Sequence, residues 1–354
     1  MPNYARCLNL NLLLVFVPIA IMGELLHWSP LPVFAFSALA VVPLASLIGQ
    51  ATEELAAHTG PRLGGFLNAT LGNAAELIIT IFAIRAGLLE LVKASITGSI
   101  LGNVLLVLGF SILLGGLRNG IQRFDRSHAG LNSTMLILAV VGLGIPSLFS
   151  HAIEIQHHEA VESLSLGVAL VLIVIYALSP LYAFFTLPGG RKAEEIPIHR
   201  GWGTSKAGGI LVAATLLIAW LSEILVGAVE PVIEAVGVTE FFLGIIVIPL
   251  VGNVAEHLVG VQMAVKNRMG LSLAISVGSS LQIALFVAPA LVFISLLMGH
   301  PLTLVFNQFE LISLVAAVLI AALVSLDGES NWLEGAQLLV VYIIIGLAFF
   351  YLPT

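Results

Sequence analysis

Two glutamates stand where apolar sequence should carry no charge. Glu76 is the only charged residue between Leu63 and Ile84, and Glu256 is the only acidic one between Phe241 and Val265. Each closes the same pattern, Gly72-Asn73-Ala74-Ala75-Glu76 and Gly252-Asn253-Val254-Ala255-Glu256. A charge at a bilayer centre costs about 2.5–3.5 kcal/mol on insertion scales, and such residues mark ion or proton routes. No Lys or Arg falls deep in any apolar stretch to pair with them. Two carboxylates brought face to face in low dielectric repel, so protons or a divalent cation must neutralise them. A site that takes Ca²⁺ or protons, but not both fully, is the core of an antiport mechanism.

The neighbouring residues suit a hard cation. Asn73 precedes Glu76 by three residues and Asn253 precedes Glu256 by three, so each pair shares a helix face. Ser99 with Asn103, and Ser279 with Gln282, are spaced one turn apart. These are oxygen ligands, and Ca²⁺ takes about 6–8 oxygens, some from backbone and water. Gly72 and Gly252 precede each Asn, with Pro249 behind the second, so both are expected to break their helices and free backbone carbonyls. Small and polar residues also serve tight helix packing, which competes with ligation for Ser99 and Ser279. His257 has no counterpart, since Leu77 stands in its place. It suits a proton acceptor near neutral pH or a ligand for a softer metal. Thr52-Glu53 and Ser222-Glu223 lie nearer the membrane faces and could pass protons or cations to the centre. Glu54 and Glu230 read as solvated helix ends. His151, His157, His158 and Glu159 read as a polar loop.

These residues need a membrane around them. The chain has 354 residues, 59% hydrophobic and only 9% charged, with mean hydropathy +1.10. Soluble domains are nearer 45–50% apolar and about 25% charged. A net charge of -7 leaves no basic surface for nucleic acid, and the single cysteine, Cys7, excludes disulfide frameworks, thiolate zinc sites and iron–sulfur clusters. A spanning helix needs roughly 20 apolar residues. Eleven stretches qualify, near 10–27, 31–55, 63–85, 94–117, 131–149, 163–186, 207–229, 241–265, 271–298, 309–326 and 332–352. The first is expected to be a retained helix, since no clear cleavage site follows it. With the N-terminus cytoplasmic, all 13 Lys and Arg fall on the inner side except Arg85 and Lys93. That is the bias that orients membrane proteins, and it places the C-terminus outside.

The chain also matches itself at a constant offset of 180. Leu63-Gly64 returns as Leu243-Gly244, and Gly98-Ser99 returns as Gly278-Ser279. The two Gly-Asn-x-Ala-Glu copies lie five spans apart, an odd number, so they enter the membrane from opposite sides. The expected fold is all-α and polytopic, with one N-terminal helix (1–30) and two inverted five-helix repeats (31–186 and 207–354) joined by a cytoplasmic linker (187–206). Inverted repeats typify secondary transporters, whose substrate site lies near the midplane between them.

Gly72-Asn-Ala-Ala-Glu-Leu-Ile-Ile-Thr-Ile-Phe-Ala, Gly98-Ser-Ile-Leu-Gly-Asn-Val-Leu-Leu-Val-Leu-Gly and Gly252-Asn-Val-Ala-Glu-His strongly resemble the Ca²⁺/H⁺ antiporters of the cation/Ca²⁺ exchanger superfamily, the CAX family. Gly278-Ser-Ser-Leu-Gln-Ile resembles the end of that family's second motif. The layout of one plus five plus five helices matches as well. The resemblance implies that Glu76 and Glu256 are the central cation and proton residues. It implies supporting roles for Asn73, Asn253, His257, Ser279, Gln282 and Ser99 or Asn103, and a place for Glu53 and Glu223 in the exchange pathway. Eukaryotic members tend to carry a long regulatory N-terminal tail and an acidic stretch between the halves. Here there is almost no tail, and only Glu194 and Glu195 stand among the linker's basic residues, which suggests a prokaryotic-type member.

The expected function is therefore secondary active export of Ca²⁺ against protons by alternating access, in a prokaryotic inner membrane. Na⁺/Ca²⁺ exchange or Mn²⁺/H⁺ antiport on the same fold are the alternatives. A passive channel would not need buried paired carboxylates. An enzyme is not expected, because the spans hold no nucleophile–base pair and no His-x-x-x-His spacing. The expected partners are lipid and the transported ions, Ca²⁺ and H⁺, with no cofactor and no nucleic acid. Lipid explains the apolar surface, and a homo-oligomer stays open.

Overall fold

The computed structural model describes residues 10–153, 158–186 and 201–352. Arg6, Cys7, Glu154, His157 and most of the linker, including Arg191, Lys192, Glu194, Glu195 and Arg200, lie outside the described residues. The chain is helical nearly throughout. In order it runs α1 (Phe16–Leu25), α2 (Pro30–Leu71), α3 (Ala74–Arg85), α4 (Leu89–Leu101), α5 (Leu108–Asn119), β1 (Gln122–Arg123), α6 (Arg126–Ile153) and α7 (His158–Thr186). There follow α8 (Thr204–Gly227), α9 (Val229–Val236), α10 (Glu240–Phe242), α11 (Ile248–Val265), α12 (Met269–Gln282), α13 (Ala288–Leu297), α14 (Gln308–Val324), β2 (Glu329–Ser330) and α15 (Trp332–Tyr351). Among the described residues, 8 helical stretches are long and apolar enough to cross a bilayer, and Leu10–Leu25 and Gln308–Val324 are shorter apolar helices. Their outward faces keep large apolar side chains exposed, such as Leu148, Leu216, Leu297 and Leu323. In water that surface would be a liability; in lipid it is the expected exterior.

One boundary differs from the sequence expectation. Spans 31–55 and 63–85 were expected to be separate helices. Instead, helical hydrogen bonding continues from Pro30 to Leu71, and the second span is interrupted at Gly72-Asn73. The chain nevertheless turns sharply inside α2. A Cβ built on Gly64 would lie 2.6 Å from the Ala56 carbonyl oxygen. Residues eight apart on a straight helix are about 12 Å apart.

Three π-helical segments interrupt the spans, at Gly102–Val107, Leu243–Val247 and Ile283–Val287. The first and third follow Gly98-Ser99 and Gly278-Ser279 at nearly the same distance, so they are repeat-related. Pro249 and Pro289 each follow such a segment by two residues. A proline ring clashes with the carbonyl four residues back, and the wider π turn relieves that clash.

The structure divides into two compact units. One gathers α1, α2, most of α3, α8, α9 and Val251–Ala255. Here α2 packs along α8, with Leu44 and Ile48 of α2 and Leu221 and Leu225 of α8 buried, and Phe16 of α1 stacks on Phe36 at 5.6 Å. The other gathers the remaining segments of both repeats. Its helices approach backbone to backbone at glycines. A Cβ on Gly98 of α4 would run into the Ile245 carbonyl, and one on Gly244 would run into Ala94. Gly109 of α5 and Gly335 of α15 meet in the same way. Lipid tails provide no hydrophobic drive between helices, so close van der Waals approach at small residues replaces it.

Within this second unit, connections far apart in sequence are joined to one another. β1 pairs antiparallel with β2. The Gln122 amide donates to the Ala264 carbonyl at 2.8 Å and to Asn267 Oδ1 at 3.0 Å. The α5–α6, α11–α12 and α14–α15 loops, all expected inside, are thereby joined. Elsewhere in the unit, the Leu91 N–H at the start of α4 donates to Glu240 of α10 at 2.9 Å, and the Phe306 N–H donates to Ser147 Oγ of α6 at 2.8 Å.

Gly98 and Gly278 are repeat-equivalent but differently placed: nothing lies within 4 Å of a Cβ on Gly278. Gly98→Ala is expected to lower stability by about 1–3 kcal/mol through overpacking. Gly278→Ala, in a helix interior, is expected to raise it by roughly 0.5–1 kcal/mol. Thermal unfolding of the detergent-purified variants measures both, and equal shifts of the same sign would contradict this packing.

Candidate cation and proton site

In the first copy of the motif the helix does break. Leu71 ends α2, Gly72-Asn73 form a turn, and α3 starts at Ala74. Glu76 therefore sits in the first turn of a new helix. The amide-rich N-terminal end of a helix is where an anion is held most cheaply. One turn later the Thr80 hydroxyl donates to the Glu76 carbonyl at 2.7 Å, which ties off that turn. Asn73 is 2% exposed and Glu76 is 4% exposed.

In the second copy there is no break. Gly252 lies inside α11, which is continuous from Ile248 to Val265, so the expectation of a helix break at Gly252 is corrected. The irregularity is displaced upstream, into the π segment before Pro249. Gly252 has another role, in close approach. A Cβ there would lie 3.0 Å from Glu76 Cγ and 3.1 Å from its Cδ and Oε1. The missing side chain is the space in which the Glu76 carboxyl rests. Asn253, 1% exposed, follows immediately. The first unit thus holds Asn73, Glu76, Gly252 and Asn253 together. The two repeat copies of the motif meet there, as the 180-residue offset suggested.

Glu256 and His257 stand one turn further along α11, and both are partly exposed. The buried Nε2 of His257 has no hydrogen-bond partner among the described residues. In the second unit, Asn103 opens the π segment after α4, and its Nδ2 donates to Ser279 Oγ of α12 at 3.1 Å. Asn103, Ser99 and Ser279 are all buried, while Gln282 is partly exposed. Sequence spacing paired Ser99 with Asn103 and Ser279 with Gln282. The hydrogen bond crosses instead between repeats, and it leaves the amide oxygen of Asn103 as the atom that can meet a cation.

The outlying acids are arranged differently from expectation. Glu53 and Glu223 are exposed, while the adjoining Thr52 and Ser222 are fully buried. Glu54, read from the sequence as a solvated end, is 6% exposed. Its Oε1 accepts the Gly201 N–H at 2.9 Å, so it holds the start of α8's approach rather than facing water. Adjacent helix positions point about 100° apart, and either of two neighbouring acids can be the inward one. Glu230 is exposed, as expected, and so is Glu159. Among the described residues no three His, Cys, Asp or Glu side chains cluster to hold a metal. A full oxygen shell for a cation here would need amide, hydroxyl or backbone oxygens besides carboxylates.

Residues 29–185 and 206–351 match the family described as sodium/calcium exchanger protein. The protein belongs to that family. The Ca(2+)/H(+) antiporter of Aphanothece halophytica is 45% identical over 359 residues, covering 97% of this chain and 96% of its own. The Ca(2+)/H(+) antiporter ChaA of Bacillus subtilis is 42% identical, over 95% of this chain and 97% of its own. The solved structure of native YfkE superposes with TM-score 0.85 at 41% identity, covering 97% of this chain and all of that one. The protein is thus an integral membrane transporter and not an enzyme, with the helical membrane fold of its family.

The contact at Gly252 is directly testable. Gly252→Ala is expected to push the Glu76 carboxyl from its place and to raise the Ca²⁺ concentration needed for half-maximal binding by about tenfold or more, the scale on which disturbed ligand support acts. Isothermal titration of the purified variant with Ca²⁺ measures this. Wild-type affinity would mean that Glu76 does not depend on that space.

Proposed function

We propose that the protein is a Ca²⁺/H⁺ antiporter that moves Ca²⁺ out of the cytoplasm against inward proton flow. The observation that carries the reading is the Glu76 carboxyl, buried on the glycine of the second copy of its own motif. The near full-length relatives named Ca(2+)/H(+) antiporters support the choice of ions. Glu76 and Glu256 are the residues at which Ca²⁺ and protons compete. Asn73 and Asn253, with Ser99, Asn103, Ser279 and Gln282, supply neutral oxygens. His257, with its orphaned ring nitrogen, and Glu53 and Glu223, exposed on α2 and α8, serve proton and cation access.

The chemistry follows from charge balance. Removing two carboxylates from water without compensation is prohibitive, so the pair is occupied by a cation or by protons in every state that faces the membrane interior. Ca²⁺ arriving from one side displaces protons, and protons arriving from the other displace Ca²⁺. An empty, doubly charged site cannot reorient cheaply, and this couples the two fluxes. The membrane arrangement that serves this cycle is eleven crossings. A helix over 1–30 precedes repeats at 31–186 and 207–354, the linker and N-terminus are cytoplasmic, and the C-terminus is outside. The charge bias of the loops and the loop contacts within the second unit support it. The membrane is the inner membrane of a prokaryote, as the bacterial relatives suggest.

In inside-out vesicles with an acid interior, Ca²⁺ without Na⁺ is expected to trigger proton efflux. Glu76→Gln and Glu256→Gln are each expected to abolish it while leaving the protein folded. Exchange at wild-type rate in either variant would sink the mechanism, and Ca²⁺ uptake that requires a sodium gradient would replace the proton with Na⁺.

A further inference from the structure

One buried acid has no part in the site described above. Glu310, in the first turn of α14, is 0% exposed. Its Oε2 accepts the Asn307 N–H at 2.8 Å and completes a capping box. A capping box needs nothing more. Yet Oε1 accepts the hydroxyl of Thr97, 3.2 Å away and 213 positions distant in sequence. Thr97 is itself 0% exposed. Glu310 has no ion pair among the described residues; Lys93, one turn before Thr97 on α4, pairs with Glu90. Two apolar side chains would fill the same space without the cost of burying a carboxyl group. Polar pairs of this kind fix geometry where apolar contacts allow sliding.

The place of Thr97 gives that geometry a purpose. The next residue, Gly98, is the point at which α4 touches the backbone of Ile245. The residue after that is Ser99, and Asn103 follows one turn later with its bond to Ser279. So α4 is held on two flanks, at Thr97 and Gly98, directly before the residues that offer oxygen to a cation. We propose that Glu310 is a positioning residue for exchange: through Thr97 it fixes α4, and with it Ser99 and Asn103, in the place that Ca²⁺ binding requires. This rests on the reading of Ser99 and Asn103 as cation ligands.

The test uses the full chain in proteoliposomes, with Ca²⁺-triggered proton flux recorded against Ca²⁺ concentration. Thr97→Val, which keeps the shape and removes the hydroxyl, is expected to raise the half-saturating Ca²⁺ about tenfold with the maximal rate nearly unchanged. Glu310→Ala should do the same, and the double variant should be no worse than the worse single one. Thr97→Ser and Glu310→Gln should recover the wild-type Ca²⁺ dependence, because an amide can accept from Asn307 and donate to Thr97. Unchanged Ca²⁺ dependence in Thr97→Val, or Glu310→Gln as impaired as Glu310→Ala, would overturn the proposal. Ser99→Ala separates the two levels: a normal Ca²⁺ dependence there removes the ligand reading itself, whereas an impaired Ser99→Ala beside a normal Thr97→Val removes only the clamp.

Discussion

A carboxyl group buried among the helices of a membrane protein governs the rest of this structure. Glu76 cannot reach water, and the sequence provides no Lys or Arg deep in the apolar stretches to answer it. Under the proposed exchange, Ca²⁺ or a proton meets its charge in turn. The surrounding features follow from that need. The helix stops at Gly72-Asn73, so that Glu76 starts a new helix at its anion-tolerant end. The facing segment has a glycine where any side chain would occupy the carboxyl's space. The other polar groups nearby are neutral amides, which can meet a cation without adding repulsion.

Holding such a group in register within lipid requires close helix contacts made without a hydrophobic drive. The second unit achieves this by bringing backbones together at Gly98, Gly109, Gly244 and Gly335, and by hydrogen bonds between segments far apart in sequence. The π segments, two of them followed by prolines, provide the local irregularity that regular helices lack. The two motif copies are chemically alike but structurally unequal. One is broken and its Glu is sealed; the other is continuous and its Glu is partly exposed.

Much of this was legible in the sequence because membranes leave few choices. Length and apolarity mark apolar helices directly in the sequence, so that 332–352 was expected and Trp332–Tyr351 is found. The 180-residue offset brought the two Gly-Asn-x-Ala-Glu copies into view as equivalents, though not the contact of Glu76 with Gly252. What was not legible depends on contacts between distant segments. Gly72 and Gly252 are equivalent in sequence, yet one breaks a helix and the other makes room for a side chain. Glu53 and Glu54 are adjacent and identical in type, so only the helix phase in the folded protein could show that Glu54 turns inward. No local pattern links Thr97 to Glu310.

The central claim is that Ca²⁺ and protons compete for the same carboxyl groups. Proton release on Ca²⁺ binding tests it most directly, with the purified protein in weakly buffered detergent solution and a pH-indicator dye. The account predicts that Ca²⁺ releases protons, that release per Ca²⁺ grows as the starting pH is lowered, and that Glu76→Gln or Glu256→Gln reduces it. Tight Ca²⁺ binding with no proton release at any pH would contradict it.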